Sequence, residues 1–189
     1  AIPYELTRLQ DIPPTIDYPV LVTIFTSMFL HGGILHIGAN MLFLWIFGDN
    51  IEDVMGHGKF LLFYLLCGIA AIAAQVAINP SSEVPIIGAS GAISGVMGAY
   101  LVLFPGGLVR VAAIIWIIPL IFRLPAVIVI GMWFVIQIFS GFATLDVGSV
   151  QSGGTAYFAH IGGFLAGIVL VFVFADRTRR DHQKALRGS

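Results

Sequence analysis

A chain of 189 residues that is 58% hydrophobic and only 10% charged cannot furnish a soluble surface, since an ordinary soluble domain carries about 25% charged residues. Its formal net charge of −1 gives no footing for nucleic acid, and its single cysteine, Cys67, allows neither a disulfide nor a cysteine metal cluster. The few charges lie far apart, leaving uncharged runs at residues 18–48, 60–82, 84–109, 124–145 and 147–175, each longer than the roughly 18 apolar residues that cross a bilayer.

The sequence therefore predicts an all-α, multi-pass membrane bundle with five spans in a lipid bilayer. Residues 1–20, with Pro3, Pro13, Pro14 and Pro19, read as an irregular outer loop, because proline removes a donor and restricts its neighbour. The first span runs from about residue 33 to 48 and continues to Glu52, and the stretch before His31 is expected to pack on its outer end. The second covers residues 59–78 and ends at Asn79-Pro80, with residues 81–87 as the return loop. The third begins near Ser90 and must stop before Pro105-Gly106-Gly107. It is thus about fifteen residues or roughly 22 Å long, short of the ~30 Å hydrocarbon core, so its first residue is expected below the outer surface unless the loop that follows dips inward.

Between Arg110 and Arg123 the apolar run is only twelve residues long and contains Pro119, which suits an interfacial or re-entrant segment rather than a span. The fourth span is placed at residues 125–142, a Gly- and Ser-rich outer loop at 143–154, and the fifth span at 155–175. One domain, residues 1–176, is followed by a basic tail, 177–189. Lys and Arg gather in cytoplasmic segments. With the amino end outside, the inner segments hold Lys59, Arg110, Arg123, Arg177, Arg179, Arg180, Lys184 and Arg187, and the outer ones only Arg8. The tail is therefore cytoplasmic.

Polar groups inside a bilayer are costly and mark functional sites by default. His36 and Asn40 are four residues apart on one helical face near the outer end of the first span, Ser90 opens the third, and His160 lies about a turn and a half inside the fifth. All four fall in the same leaflet. Gly91, Gly95 and Gly98 on the third span and Gly163 and Gly167 on the fifth let two backbones approach closely. Such an approach can bring Ser90 within hydrogen-bond reach of His160, as a nucleophile and its base require. The plainer alternative is that the glycines only pack helices and the histidine is a satisfied core residue.

Other chemistries fit less well. The soluble-hydrolase elbow G-x-S-x-G fails at Ala92, and a phosphate-binding glycine loop fails because no strand precedes it. His31, His36 and His160 could suggest zinc, but there is no H-E-x-x-H and no carboxylate within a span, so neither metal nor cofactor is expected.

Three segments, His31-Gly-Gly-Ile-Leu-His36-Ile-Gly-Ala-Asn40, Gly88-Ala89-Ser90-Gly91 and Ala159-His160-Ile161-Gly162-Gly163, resemble the signature motifs of rhomboid proteases in order and spacing. The resemblance covers nearly all of residues 1–176. It implies a rhomboid-like protease domain of prokaryotic type in a cell (inner) membrane, cleaving transmembrane protein substrates with a Ser90–His160 dyad. The backbone amides of Ser90 and Gly91, His36 and the Asn40 side chain would hold the oxyanion, with His31, Gly88, Gly95, Gly163 and Gly167 structural around the site. Family cores usually have six spans, so the resemblance implies that a helix before Pro3 is missing here. Some relatives carry a tyrosine four residues after the nucleophile that packs on the base, where this chain has Ser94; what orients His160 is left open. Trp133, Phe134 and Phe139 are candidates for a mobile gate, with ordinary packing as the alternative. A noncatalytic binder of transmembrane helices would not need Ser90 and His160 together, and a channel would need polar residues along its whole path.

Overall fold

A computed structural model describes residues 1–12, 19–115, 118–146, 155–176, 178, 179 and 181. Most of the expected outer loop 143–154 and of the basic tail lies outside these residues. The proline-rich start is not wholly irregular: Pro3 opens a six-residue helix, α1 (Pro3–Arg8). Proline at a helix's first position loses no hydrogen bond, because its N–H would be unpaired there anyway. α1 lies over the loop that follows the second long helix, with the Tyr4 N–H donating to the Ser82 carbonyl at 3.0 Å and the Thr7 hydroxyl to the Pro80 carbonyl at 3.1 Å.

Residues 20–29 form three short helical turns with α2 (Thr23–Thr26) at the centre. They are expected to pack on the outer end of the first span, and their main contacts are with the second long helix and the helix that begins at Ser90. Met28 packs into the notch left by Gly68 on the second long helix, and the Ser27 carbonyl accepts from the Gly88 N–H at 2.9 Å. The segment thus buttresses the loop that leads into Ser90.

The long helices follow the sequence closely: α3 (Ile34–Met55), α4 (His57–Ile78), α5 (Ser90–Leu103), α6 (Ala126–Asp146) and α7 (Tyr157–Phe174). Gly56, at φ +80°, makes the one-residue turn from α3 to α4, a conformation that costs glycine nothing. By length and composition α3, α4, α6 and α7 can cross a membrane; this is an integral membrane protein. α5, the third expected span, has 14 residues and is too short to cross alone. It is the most enclosed helix, buried at nearly every position from Ala92 to Leu103.

The segment expected to be interfacial or re-entrant forms an antiparallel hairpin, β1 (Leu108–Ile115) and β2 (Ile118–Pro125). Its register runs from Leu108 opposite Pro125 to Ile115 opposite Ile118. A run of Val, Ile and Phe suits a pleated surface better than an isolated helical turn. The Gly107 N–H bonds to the Phe104 carbonyl at 2.9 Å and the Ala126 N–H to the Gly107 carbonyl at 2.7 Å, tying the hairpin to the ends of α5 and α6 away from Ser90.

The glycine faces meet as the spacing suggested. Gly163 of α7 lies against the Gly91 carbonyl of α5, Gly167 against that of Gly95, and Gly98 against the Phe164 carbonyl. In lipid, where hydrophobic burial offers little between helices, such close packing is what holds a bundle together. A methyl group at position 167 would overlap the Gly95 backbone, and backbone cannot swing aside as a side chain can. Gly167→Ala is therefore expected to cost about 1–3 kcal/mol, as overpacking does, seen as a lower midpoint of thermal unfolding in detergent. An unchanged midpoint would mean that α5 and α7 can part without penalty.

Candidate active site

Ser90 is the first residue of α5, and its presentation depends on the turn before it. Gly88 sits at φ +113°, in the region that favours glycine, with its N–H held by Ser27. Opposite, His160 lies in the first turn of α7, where the Ala159 N–H donates to Gln75 Oε1 of α4 at 3.2 Å. Close contact of α5 and α7 brings Ser90 Oγ and His160 Nε2 to 2.8 Å. A hydroxyl donating to an imidazole nitrogen can be turned into a nucleophile as its proton leaves.

His160 has a second partner. Its Nδ1 lies 2.8 Å from Oε1 of Gln137, a buried residue of α6. The orientation of that amide follows from its other end, since Gln137 Nε2 donates to the Trp133 carbonyl at 3.3 Å, which only the nitrogen can do. Oε1 must then accept from Nδ1–H. In neutral imidazole one nitrogen carries the proton and the other accepts, so Gln137 selects the tautomer that leaves Nε2 free to accept from Ser90. Trp133 also lies against the imidazole, with ring centroids 5.8 Å apart and planes inclined at 36°.

The other residues singled out in the sequence surround this pair. The Gly32 N–H donates to His36 Nδ1 at 3.2 Å, so His36 bears its proton on Nε2. A Cβ placed on Gly88 would lie 2.8 Å from that Nε2 and 3.6 Å from Asn40 Nδ2, which locates two donors converging beside the turn into Ser90. Asn40 is buried, and its Nδ2 has no acceptor among the described residues. His31 meets the His36 ring edge-on at 5.1 Å between centroids. His36 lines a cavity of about 640 Å³ together with Ser27, Gly88, Ser90, Gly91 and His160.

Gly91, Gly95, Gly163 and Gly167 lie just below, in the α5–α7 contact. The Ser94 hydroxyl is not hydrogen-bonded to His160; it donates back along α5 to the Ser90 carbonyl at 2.6 Å. Of the gate candidates, Phe134 stacks on Phe164 of α7 at 4.2 Å between centroids, and Phe139 points outward, 74% exposed.

Gln137 and Gln75 were not singled out from the sequence. Both stand in otherwise apolar runs, and the rule that flagged Asn40, that an intramembrane polar side chain needs a reason, applies to them equally.

Residues 19–177 match the family described as Rhomboid domain. The chain is 27% identical over 178 residues to Rhomboid protein 1, mitochondrial, of Saccharomyces cerevisiae, covering 89% of this chain and 46% of that protein. Over 78 residues it is 44% identical to Rhomboid protease GluP of Bacillus subtilis, 41% of this chain and 15% of that one. RHOMBOID-like protein 1 of Arabidopsis thaliana is 29% identical over 178 residues, 94% and 40% of the respective chains. The chain spans less than half the length of these relatives.

Proposed function

The chain belongs to the rhomboid family, and on that premise we propose that it is an intramembrane serine endopeptidase cutting transmembrane segments of other membrane proteins, with Ser90 as nucleophile and His160 as general base. The observation that carries this reading is the continuous chain of hydrogen bonds from Ser90 through His160 to Gln137, beside a cavity that His36 also lines.

In this mechanism His160 Nε2 takes the Ser90 proton as Oγ attacks a substrate carbonyl. The imidazolium then returns that proton to the leaving amine, and water, activated by the same nitrogen, frees the acyl-enzyme. Charge builds on the carbonyl oxygen in the transition state, and preorganised donors at that point lower the barrier most. The Ser90 and Gly91 amides lie in the first turn of α5, where N–H groups have no intrahelical acceptor, and His36 Nε2–H and Asn40 Nδ2 complete the donor set.

Substrates would enter from the outer leaflet, with the basic residues and the tail on the cytoplasmic side of a cell membrane. The reaction needs neither metal nor cofactor. Incubation of the purified chain with a fluorophosphonate probe in detergent tests the assignment. Covalent labelling of the wild type and none of Ser90→Ala is expected; labelling that survives the substitution would remove Ser90 as the nucleophile.

A further inference from the structure

At the end of the bundle away from Ser90, Arg110 and Arg123 are directly opposed in the register of the hairpin, and both are exposed. Opposed residues leave the same face of the ribbon with Cβ atoms about 4.5–5.5 Å apart, and like charges placed so are destabilising. Among the described residues neither guanidinium has a salt bridge to a carboxylate that would offset the other.

Between the two arginines, residues 111–122 contain no charged side chain and, apart from the indole N–H of Trp116, no polar side-chain group, and Ile121 is 73% exposed. Water is a poor solvent for such a ribbon. Its apolar part belongs in the bilayer, which puts the arginines at the headgroup level, where long cationic side chains reach the interface. From Arg110 an open groove of about 930 Å³ runs between α3 and α5, walled mainly by Leu42, Trp45, Leu103 and Leu108, with Asn50 and Tyr100 also in its lining. Leu42, Trp45 and Leu108 are exposed on the outside of the bundle, so the groove opens to lipid.

Arg110 lines this mostly apolar groove and Arg123 stands opposite it across the hairpin, so cationic forks and apolar length adjoin as the two halves of one ligand chemistry. Guanidinium groups match phosphate oxygens bidentately, and the groove offers apolar length for an acyl chain. We infer that Arg110 and Arg123 together clamp the phosphate of an anionic phospholipid, with an acyl chain lying along the α3–α5 groove. A headgroup carrying its own cation would set that charge against two arginines. Net negative charge is therefore the selected feature, and the bound phosphate relieves the repulsion built into the hairpin.

The test uses the full chain in detergent, titrated by native mass spectrometry with phosphatidylglycerol, with phosphatidylcholine of the same acyl chains, and with inorganic phosphate. Phosphatidylglycerol is expected to bind at least tenfold more tightly than either of the others. R110E sets a carboxylate opposite Arg123, a favourable cross-strand pair, so it preserves the hairpin while removing the anion site. It should weaken phosphatidylglycerol at least tenfold, leave phosphatidylcholine unchanged and keep or raise the unfolding midpoint. R123Q, with no charge introduced, should weaken the same lipid at least threefold. Wild-type retention of phosphatidylglycerol by either variant, or equal binding of the two lipids by the wild type, would overturn the inference. Inorganic phosphate binding as tightly as phosphatidylglycerol would equally overturn it, since the groove would then contribute nothing.

Discussion

Alanine at Ser90 or at His160 is expected to bring cleavage of a transmembrane substrate to the detection limit, a loss on the order of 10⁶ in turnover where the assay range allows it. The two effects should not multiply. Without His160 the Ser90 hydroxyl keeps its proton and is a poor nucleophile, and without Ser90 the imidazole at 2.8 Å has no hydroxyl to activate. Each loss therefore already contains the other. Residual rates of Ser90→Ala, His160→Ala and the double variant, measured with excess enzyme in liposomes, should agree within a few fold. A double variant far slower than either single one would mean that the two residues act independently, and the dyad would be the wrong description. Both side chains lie at helix starts at the end of the bundle away from the hairpin and neither supports the glycine contact below, so the unfolding midpoints should stay near that of the wild type.

What could be read from the sequence was set by how few polar residues interrupt the apolar runs. His36, Asn40, Ser90 and His160 could each be given a depth by counting from the nearest charge or proline, and a common depth was enough to group them. Helix ends were legible for the same reason: Asn79-Pro80, Pro105 and Pro125 stop or start helices wherever they stand. Rotation about a helix axis was not legible. Whether Gln137 faces His160, 23 residues away, depends on how α6 leans on α7, and that is decided by contacts such as Phe134 on Phe164.

The hairpin was hidden by composition, since a short apolar run bounded by charges has the same appearance as strand, interfacial helix or re-entrant loop. The position of residues 20–29 was hidden by distance. Met28 and Ser27 find their partners at Gly68 and Gly88, far along the chain, and nothing in their own sequence points there. Pro3 misled because proline was weighed as a helix breaker without regard to its place in the first turn.

Gln137 supplies the sharpest test of how the base is held. Asp or Glu usually fills this place beside a catalytic histidine, where it fixes the ring and stabilises the imidazolium. A neutral amide can do only the first. Gln137→Leu keeps the shape of the side chain and removes the acceptor, which frees His160 to rotate or to carry its proton on Nε2, facing Ser90, where it cannot act as a base. Loss of the partner that orients a metal-bound histidine typically costs about 10- to 100-fold, and a loss of at least that size is expected here in kcat, with KM little changed because Gln137 does not line the cavity beside Ser90. Gln137→Glu retains an oxygen at the same reach whether protonated or ionised, so it should recover most of the activity. The pair of substitutions separates positioning from packing, since leucine fills the site at least as well as glutamate and should unfold no earlier. Initial rates over a range of substrate concentrations in liposomes, with unfolding midpoints in parallel, decide it. Full turnover by the leucine variant would sink the positioning role, as would a glutamate variant no faster than leucine.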